Sequence, residues 1–150
     1  MANTQAVCTS FKVEVLNGHH ALGTSVVRAG TGADTIKAAL YLTTATVNAS
    51  TTAYSSTNEV TGTNYTAGGV TVTNGTAPTS SGTTAYWTPS ASIVYTTVTV
   101  GPTDCVLLYN STQSNKAIAA YTFSSQTVTA GTLTLTMPTN DSSNALLRIA

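Results

Sequence analysis

The clearest secondary-structure signal in the sequence is Thr132-Leu133-Thr134-Leu135-Thr136-Met137, which is followed by Pro138. Apolar and polar residues alternate through it with a period of two, which is the pattern of a β-strand with one face on a core. Pro138 is expected to end the strand because proline has no N–H to donate to a neighbouring strand. The segment therefore predicts β-structure near the end of the chain.

Further segments with the same character precede and follow this one, separated by turns rich in Gly, Asn and Ser. The strand that begins at Ile93 is expected to stop at Gly101-Pro102. Together the segments give roughly seven to nine strands, which predicts an all-β fold, an antiparallel β-sandwich or barrel of the jelly-roll or immunoglobulin-like kind. The predicted strands are Ile36–Leu42, Val70–Thr73, Thr83–Thr88, Ile93–Val100, Val106–Tyr109, Ala117–Phe123, Leu133–Met137 and Leu146–Ile149.

The run Val106–Tyr109 is almost entirely apolar, which predicts a central strand that is covered on both faces. Its leucines, together with the apolar positions of the alternating segments, form the predicted core. The residues predicted to be buried are Leu40, Leu107, Leu108, Tyr121, Phe123, Leu133 and Leu135.

One short helix is predicted at residues 9–18, where Thr9 or Ser10 can cap it and Gly18 can end it. A helix of this length is unstable alone, so its apolar side must dock, and docking on the chain's own sheet is the expected outcome. That side carries Phe11, Val15 and Leu16.

The chain is predicted to form a single domain, with residues 1–32 as a helix and connecting arm and residues 33–150 as the β-sandwich. Within the sandwich, Thr43–Gly69 is polar and too long for a structureless loop, which predicts short turns or edge strands inside it. Because loops carry contacts while strands supply the scaffold, this segment is the expected partner-facing surface.

Composition excludes several classes of function. Only 7% of the residues are charged, and five basic residues balance five acidic ones. Nucleic acids and anionic membranes are bound by clusters of Lys and Arg, which this sequence lacks, so neither is an expected partner. The beginning of the chain has no signal-peptide character, so synthesis in the cytoplasm is expected.

No chemistry is predicted from the titratable residues. His19 and His20 are adjacent and therefore point in different directions, which disfavours joint ligation of a metal. The cysteines Cys8 and Cys105 have no metal or redox spacing and are interpreted as small buried side chains. No catalytic residue, cofactor or metal is expected, because the carboxylates are scattered or lie in turns. The carboxylates are Glu14, Asp34, Glu59, Asp104 and Asp141.

Several phrases resemble a family of small virion proteins of tailed bacteriophages, and the likeness extends over nearly the whole chain. They include residues 8–18 (CTSFKVEVLNG), 53–60 (AYSSTNEV) and 109–117 (YNSTQSNKA). Others are residues 1–4, 37–41, 65–69, 137–141 and 147–150. None of these phrases is a catalytic motif, so the resemblance implies a structural role rather than an enzyme.

The resemblance implies a capsid decoration (cement) protein on the surface of the virion, with the major capsid protein and copies of itself as partners in a homo-oligomer. Short, uncharged side chains lose little rotamer entropy in such contacts. Two alternatives stay open, a tail, baseplate or fibre component and a glycan- or receptor-binding β module. The expected partner contacts are Tyr54, Tyr65, Phe11, His19 and His20.

Overall fold

The computed structural model describes residues 3–16, 19–23 and 32–150. They form two antiparallel sheets and one short helix, which confirms the predicted all-β fold. The elements in chain order are β1 (Ala6–Val7), α1 (Thr9–Leu16), β2 (Ile36–Leu42), β3 (Val70–Thr71), β4 (Thr79–Ser81), β5 (Thr84–Trp87), β6 (Ile93–Asn110), β7 (Lys116–Leu135) and β8 (Leu147–Ile149).

The larger sheet has the strand order β1-β7-β6-β2-β3, and the smaller has the order β4-β5-β8. Each pair of neighbouring strands is antiparallel. The central position of β6 agrees with the prediction for Val106–Tyr109, whose side chains are all buried.

A long hairpin of β6 and β7, here called the ribbon, dominates the larger sheet. Its turn half, Cys105–Asn110 with Lys116–Thr122, is flanked by β2 and β1. Its far half, Ile93–Thr103 with Gln126–Leu135, extends beyond both flanking strands except at Thr103, which pairs with the end of β2. The two halves therefore have different surroundings.

The far half of the ribbon folds back over the sheet that its turn half belongs to. The hydroxyl of Tyr95 in the far half donates a 2.9 Å hydrogen bond to the carbonyl oxygen of Ala38 in β2. Ile93 and Leu135 also line the same groove as Leu108 of the turn half. One hairpin thus supplies parts of two packed layers.

The prediction that a strand stops at Gly101-Pro102 is wrong, because β6 runs through it to Asn110. In the register, Val100 pairs with Val128 and Thr103 pairs with Gln126, so two residues of β6 lie opposite one of β7. This is a β-bulge, where the N–H that proline lacks is not required by the ladder. The predicted strands Ala117–Phe123 and Leu133–Met137 are likewise joined within β7.

The core prediction is confirmed for four leucines and is wrong for three residues. Leu40, Leu107, Leu108 and Leu133 are buried. Tyr121, Phe123 and Leu135 are only partly buried and pack against the core from its edge. The physical reason is that they line the open groove between the two halves of the ribbon.

The helix α1 docks on the chain's own sheet, as expected, and packs against β7. Phe11 is 1% exposed and belongs to the core. Cys8 and Cys105 are both buried, as the sequence predicted. The predicted helix end at Gly18 and most of the connecting arm lie outside the described residues, so the division at residue 32 stays a prediction.

The segment Thr43–Gly69 consists of turns and isolated bridges, in line with the prediction for it. It is called the covering segment below because its second half runs along the outer edge of β2. There the N–H of Val60 donates to Leu40 and the N–H of Leu42 donates to Asn58, each at 3.0 Å.

Candidate interaction surfaces

Tyr54 and Tyr65, the first two expected partner contacts, both point their hydroxyl groups at one internal carboxylate. Tyr54 donates to Oε2 of Glu59 at 2.6 Å, and Tyr65 donates to Oε1 at 2.7 Å. The backbone N–H of Gly68 donates to the same Oε1 at 2.7 Å. Glu59 is only 5% exposed, and these three donors compensate its burial.

The same cluster attaches the covering segment to the sheet. The hydroxyl of Tyr65 accepts a 3.0 Å hydrogen bond from the N–H of Leu40. The ring of Tyr54 stacks on Tyr109 of β6 with centroids 4.7 Å apart, and Tyr109 donates to the carbonyl of Gly68 at 2.8 Å. Hydrogen bonds and stacking therefore hold this segment against β2 and β6.

Burial and the nearby carboxylate keep these phenols protonated. Burial first, and then the hydrogen bond to Glu59, raises the pKa values of Tyr54 and Tyr65 well above the ordinary value. Burial also raises the pKa of Tyr41 to about 12. The phenols are hydrogen-bond donors at neutral pH, and ionising them would place negative charge beside Glu59.

The contact prediction for Tyr54 and Tyr65 stays a prediction, but their hydroxyls already donate hydrogen bonds to Glu59 within the protein. Removing both rings would leave the Glu59 carboxylate short of donors, so an alanine double variant would not leave the fold intact. Sequence reasoning missed Glu59 as an anchor. The available signal was an acidic residue in an otherwise uncharged segment, with tyrosines five residues before it and six after it.

His20 lies in a second polar cluster, which connects the N-terminal part to the end of β6. Its Nδ1 is 3.1 Å from Nδ2 of Asn110, and the same amide donates to Asp34 at 2.8 Å. Asp34 also accepts a 2.8 Å hydrogen bond from the N–H of Ala21. The His20 ring packs on Phe11 with centroids 4.7 Å apart. The cluster therefore has a structural role, since it joins residues 20, 21 and 34 to the end of β6.

The remaining expected contacts differ in accessibility. Phe11 is buried, so it can reach a partner only through the apolar groove whose wall it forms with Val7, Val15 and Ile149. His19 is partly buried. The structure brings Phe11 and His20 together and places Tyr54 and Tyr65 in a different cluster, so the five residues do not form one surface.

The far half of the ribbon presents a long uncharged surface, since neither of its strand segments contains a charged residue. From residue 117 to residue 140 the sequence contains no Lys, Arg, Asp or Glu. Most side chains of β7 between Thr122 and Thr134 are exposed, and they are mainly Ser, Thr and Gln. Val94, one of two large apolar side chains that are exposed among the described residues, is also on the ribbon. Sequence reasoning predicted a strand at each end of this stretch, Ala117–Phe123 and Leu133–Met137, and missed the exposed surface between them.

Three grooves adjoin one another beside the ribbon. The first, of about 340 Å³, lies between the ribbon halves and is lined by Phe123 and Met137. It shares Tyr121 and Leu146 with a second groove, of about 500 Å³. That groove shares Val7 with a third, of about 720 Å³, between α1 and β8. The walls of the first and third grooves are mostly apolar.

Within the ranges 3–16, 19–23 and 32–150, no three His, Cys, Asp or Glu side chains are placed to hold a metal ion. Over the same part of the chain, no helix has the length and apolar character that crossing a bilayer requires. Comparison with models of protein families, with curated proteins and with solved structures found no match.

Proposed function

We propose that this protein is a structural component of a tailed-bacteriophage virion that decorates the head. In this role it binds the major capsid protein and copies of itself in the assembled shell. A protein that binds only the assembled, expanded shell stabilises that state by mass action. No catalytic step is part of this proposal.

The observation that carries the proposal is the uncharged and largely exposed far half of the ribbon, taken together with the resemblance of the sequence to small virion proteins. Ser, Thr and Ala side chains lose little rotamer entropy when a contact immobilises them. A contact formed by the ribbon would therefore retain more of its interaction free energy than one formed by Lys or Glu side chains. Near-zero net charge also removes repulsion between neighbouring copies on one shell.

The test is a binding experiment on shells that lack the protein. Purified protein is mixed with expanded capsids, unexpanded shells and soluble capsid subunits of its phage, and co-sedimentation is measured. We expect binding to expanded capsids and weaker binding to the other two. Particles without the protein should also release DNA at a lower temperature.

A matched pair of variants locates the contact. Ser125→Lys places a charge on the exposed face of the ribbon, and Ser80→Lys places one on the exposed strand β4. Neither side chain has a hydrogen bond to lose within the described residues, so both variants should fold normally. We expect Ser125→Lys to weaken capsid binding about tenfold and Ser80→Lys to leave it unchanged.

The tail alternative predicts different particles. If particles that lack the protein keep normal heads and heat resistance but have defective tails or fail to adsorb, the head proposal is wrong. Equal binding to expanded and unexpanded shells would also contradict it.

A further inference from the structure

The covering segment and Tyr41 of β2 line an open cavity of about 280 Å³. Buried Tyr41, Ala45 and Val47 contribute its apolar part. Small polar side chains surround it, among them Thr46, Thr57 and Asn58, which are exposed. A concave site with an apolar base and a few polar groups is typical of small-molecule binding.

The polar groups of this cavity have unused hydrogen-bonding capacity. Over the described residues, the side chains of Thr46, Thr57 and Asn58 make no hydrogen bond to the protein. An amide offers two donors and an acceptor with two lone pairs, and each hydroxyl can both donate and accept. By contrast, the hydroxyl of Tyr41 is already used, because it donates to the carbonyl of Ser55 at 2.6 Å.

Charge selects the class of ligand. None of the residues that line the cavity is charged, and the nearest carboxylate in the sequence, Glu59, is occupied by Tyr54, Tyr65 and Gly68. A charged ligand would lose hydration without gaining a counter-charge. A neutral ligand with several hydroxyl groups and an apolar face matches both the polar rim and the apolar base.

We propose that this cavity binds one neutral pyranose unit of a glycan. The apolar face of the sugar ring would lie over Ala53, the exposed apolar side chain of the lining, because Ala45 and Val47 are only 1% and 4% exposed. Its hydroxyl groups would exchange hydrogen bonds with Asn58 and the two threonines. Sites for larger ligands begin at about 300 Å³, so the cavity accepts a single ring or the end of a chain rather than a long oligosaccharide.

The hydrogen bonds from Tyr54, Tyr65 and Gly68 to Glu59 hold this cavity in its shape before a ligand binds. Glu59 follows Asn58 directly and forms a bridge with Tyr41, which is in the base of the cavity. The backbone carbonyl of Asn58 is fixed by the N–H of Leu42. Because these residues are already ordered, sugar binding does not have to fix the segment first.

This inference goes beyond the proposed head role and does not depend on it. The segment that holds the cavity is separate from the ribbon, so the capsid-binding variants leave the cavity unchanged. Failure of either proposal would therefore be recognised independently.

The experiment is saturation-transfer NMR of the purified protein with glucose, galactose, mannose and N-acetylglucosamine, followed by titration of the sugar that gives the strongest signal. Glucuronic acid and glucosamine are the charged comparisons. We expect at least one neutral sugar to bind with a millimolar Kd, and its charged counterpart to bind about tenfold more weakly.

Variants assign the site. Asn58→Gly removes the amide but keeps the left-handed backbone, because Asn58 has φ 59° and glycine adopts that region freely. Asn64→Gly is the control, since Asn64 also has φ 59° but does not line the cavity. Thr46→Trp should fill the cavity. We expect Asn58→Gly and Thr46→Trp to lower affinity about tenfold or more, and Asn64→Gly to leave it unchanged.

Thermal unfolding of each variant establishes that it is folded before its binding is interpreted. The proposal is overturned if no neutral sugar binds the wild-type protein at 50 mM, on the order of the weakest affinities that such a site could have. It is also overturned if sugar binding survives both Asn58→Gly and Thr46→Trp in folded protein.

Discussion

The two halves of the ribbon are continuous in sequence but differ in burial and in regularity. In the turn half, Cys105–Asn110 is buried at every position, and pairing with β7 shifts once, between Leu108 and Tyr109. In the far half the β6 residues alternate between buried and exposed, and pairing shifts three times between Tyr95 and Thr103.

Coverage by neighbouring strands accounts for the different regularity of the two halves. A strand that is covered on both faces cannot slip by one residue without moving many side chains out of their packing sites. The far half has one solvent-facing side and lacks the flanking strands over most of its length, so bulges cost less there. We therefore expect the turn half to hold most of the stability of the fold.

Among the changes that test this distribution of stability, alkaline pH should lower the free energy of unfolding the most. Burial raises the pKa values of Tyr41, Tyr54, Tyr65 and Tyr109, which surround the turn half and its covering segment. A raised folded-state pKa means that the folded protein retains its proton when the unfolded chain loses it. This contribution to stability is fully present below pH 10, the unfolded value, and is lost as the pH rises through 12 and above.

The measurement is urea unfolding at intervals from pH 7 to pH 12. We expect a constant free energy of unfolding up to about pH 9.5 and a steep decrease above it. A flat profile up to pH 12 would show that the phenols are not buried as described.

Truncating one core leucine in each half should give the next largest change in the free energy of unfolding. Leu107→Ala in the turn half, where the side chain is fully buried, should lower the free energy of unfolding by about 3–5 kcal/mol. Leu135→Ala in the far half should lower it by about 1 kcal/mol, because that side chain borders an open groove. Chemical denaturation with an unchanged m-value measures both, and equal losses would contradict the proposed distribution of stability.

Deleting one hydroxyl from the covering segment and one from the far half compares how strongly each is held to β2. Tyr65→Phe removes a donor to Glu59 and an acceptor for the N–H of Leu40, and should cost about 2 kcal/mol. Tyr95→Phe removes a single donor, to the carbonyl of Ala38, and should cost about 1 kcal/mol. Thermal unfolding of the two variants side by side tests the ranking, which is wrong if Tyr95→Phe is the more destabilising.

The smallest effect is expected on the exposed side of the far half. Thr132→Lys changes a side chain that is exposed and makes no hydrogen bond within the described residues, so stability should change by less than about 0.5 kcal/mol. A larger loss measured by thermal unfolding would mean that this face is packed against something in the free protein.

Much of the fold could be predicted because the periodicity of two is a local property of the sequence. Most of the strands follow from that pattern, and the docked helix with Phe11 inside follows from the capping residues and the apolar side of residues 9–18. The continuity of β6 through Pro102 could not be predicted, because whether a proline ends a strand depends on the partner's register. The groove beside Phe123 and Leu135 depends on how the ribbon folds back, which alternation alone does not determine.

The internal role of Tyr54 and Tyr65 shows the same limit. Their positions in a polar segment indicated accessible aromatic side chains, whereas the fold uses them to donate to Glu59. The sequence shows that Glu59 lies between the two tyrosines, but that both hydroxyls reach it depends on the folding of the whole segment. The cavity based on Tyr41 depends on the same non-local packing.

The bulges of the ribbon have a consequence for a protein that has almost no charge to keep its copies apart in solution. The outer edge of β7 beyond Thr122 is long, exposed and without Lys or Pro, which are common devices against sheet-to-sheet joining. Repeated register shifts make this edge uneven, so another strand cannot add to it over more than a few residues. We therefore expect irregular pairing, rather than electrostatic repulsion, to limit fibril formation by the free protein.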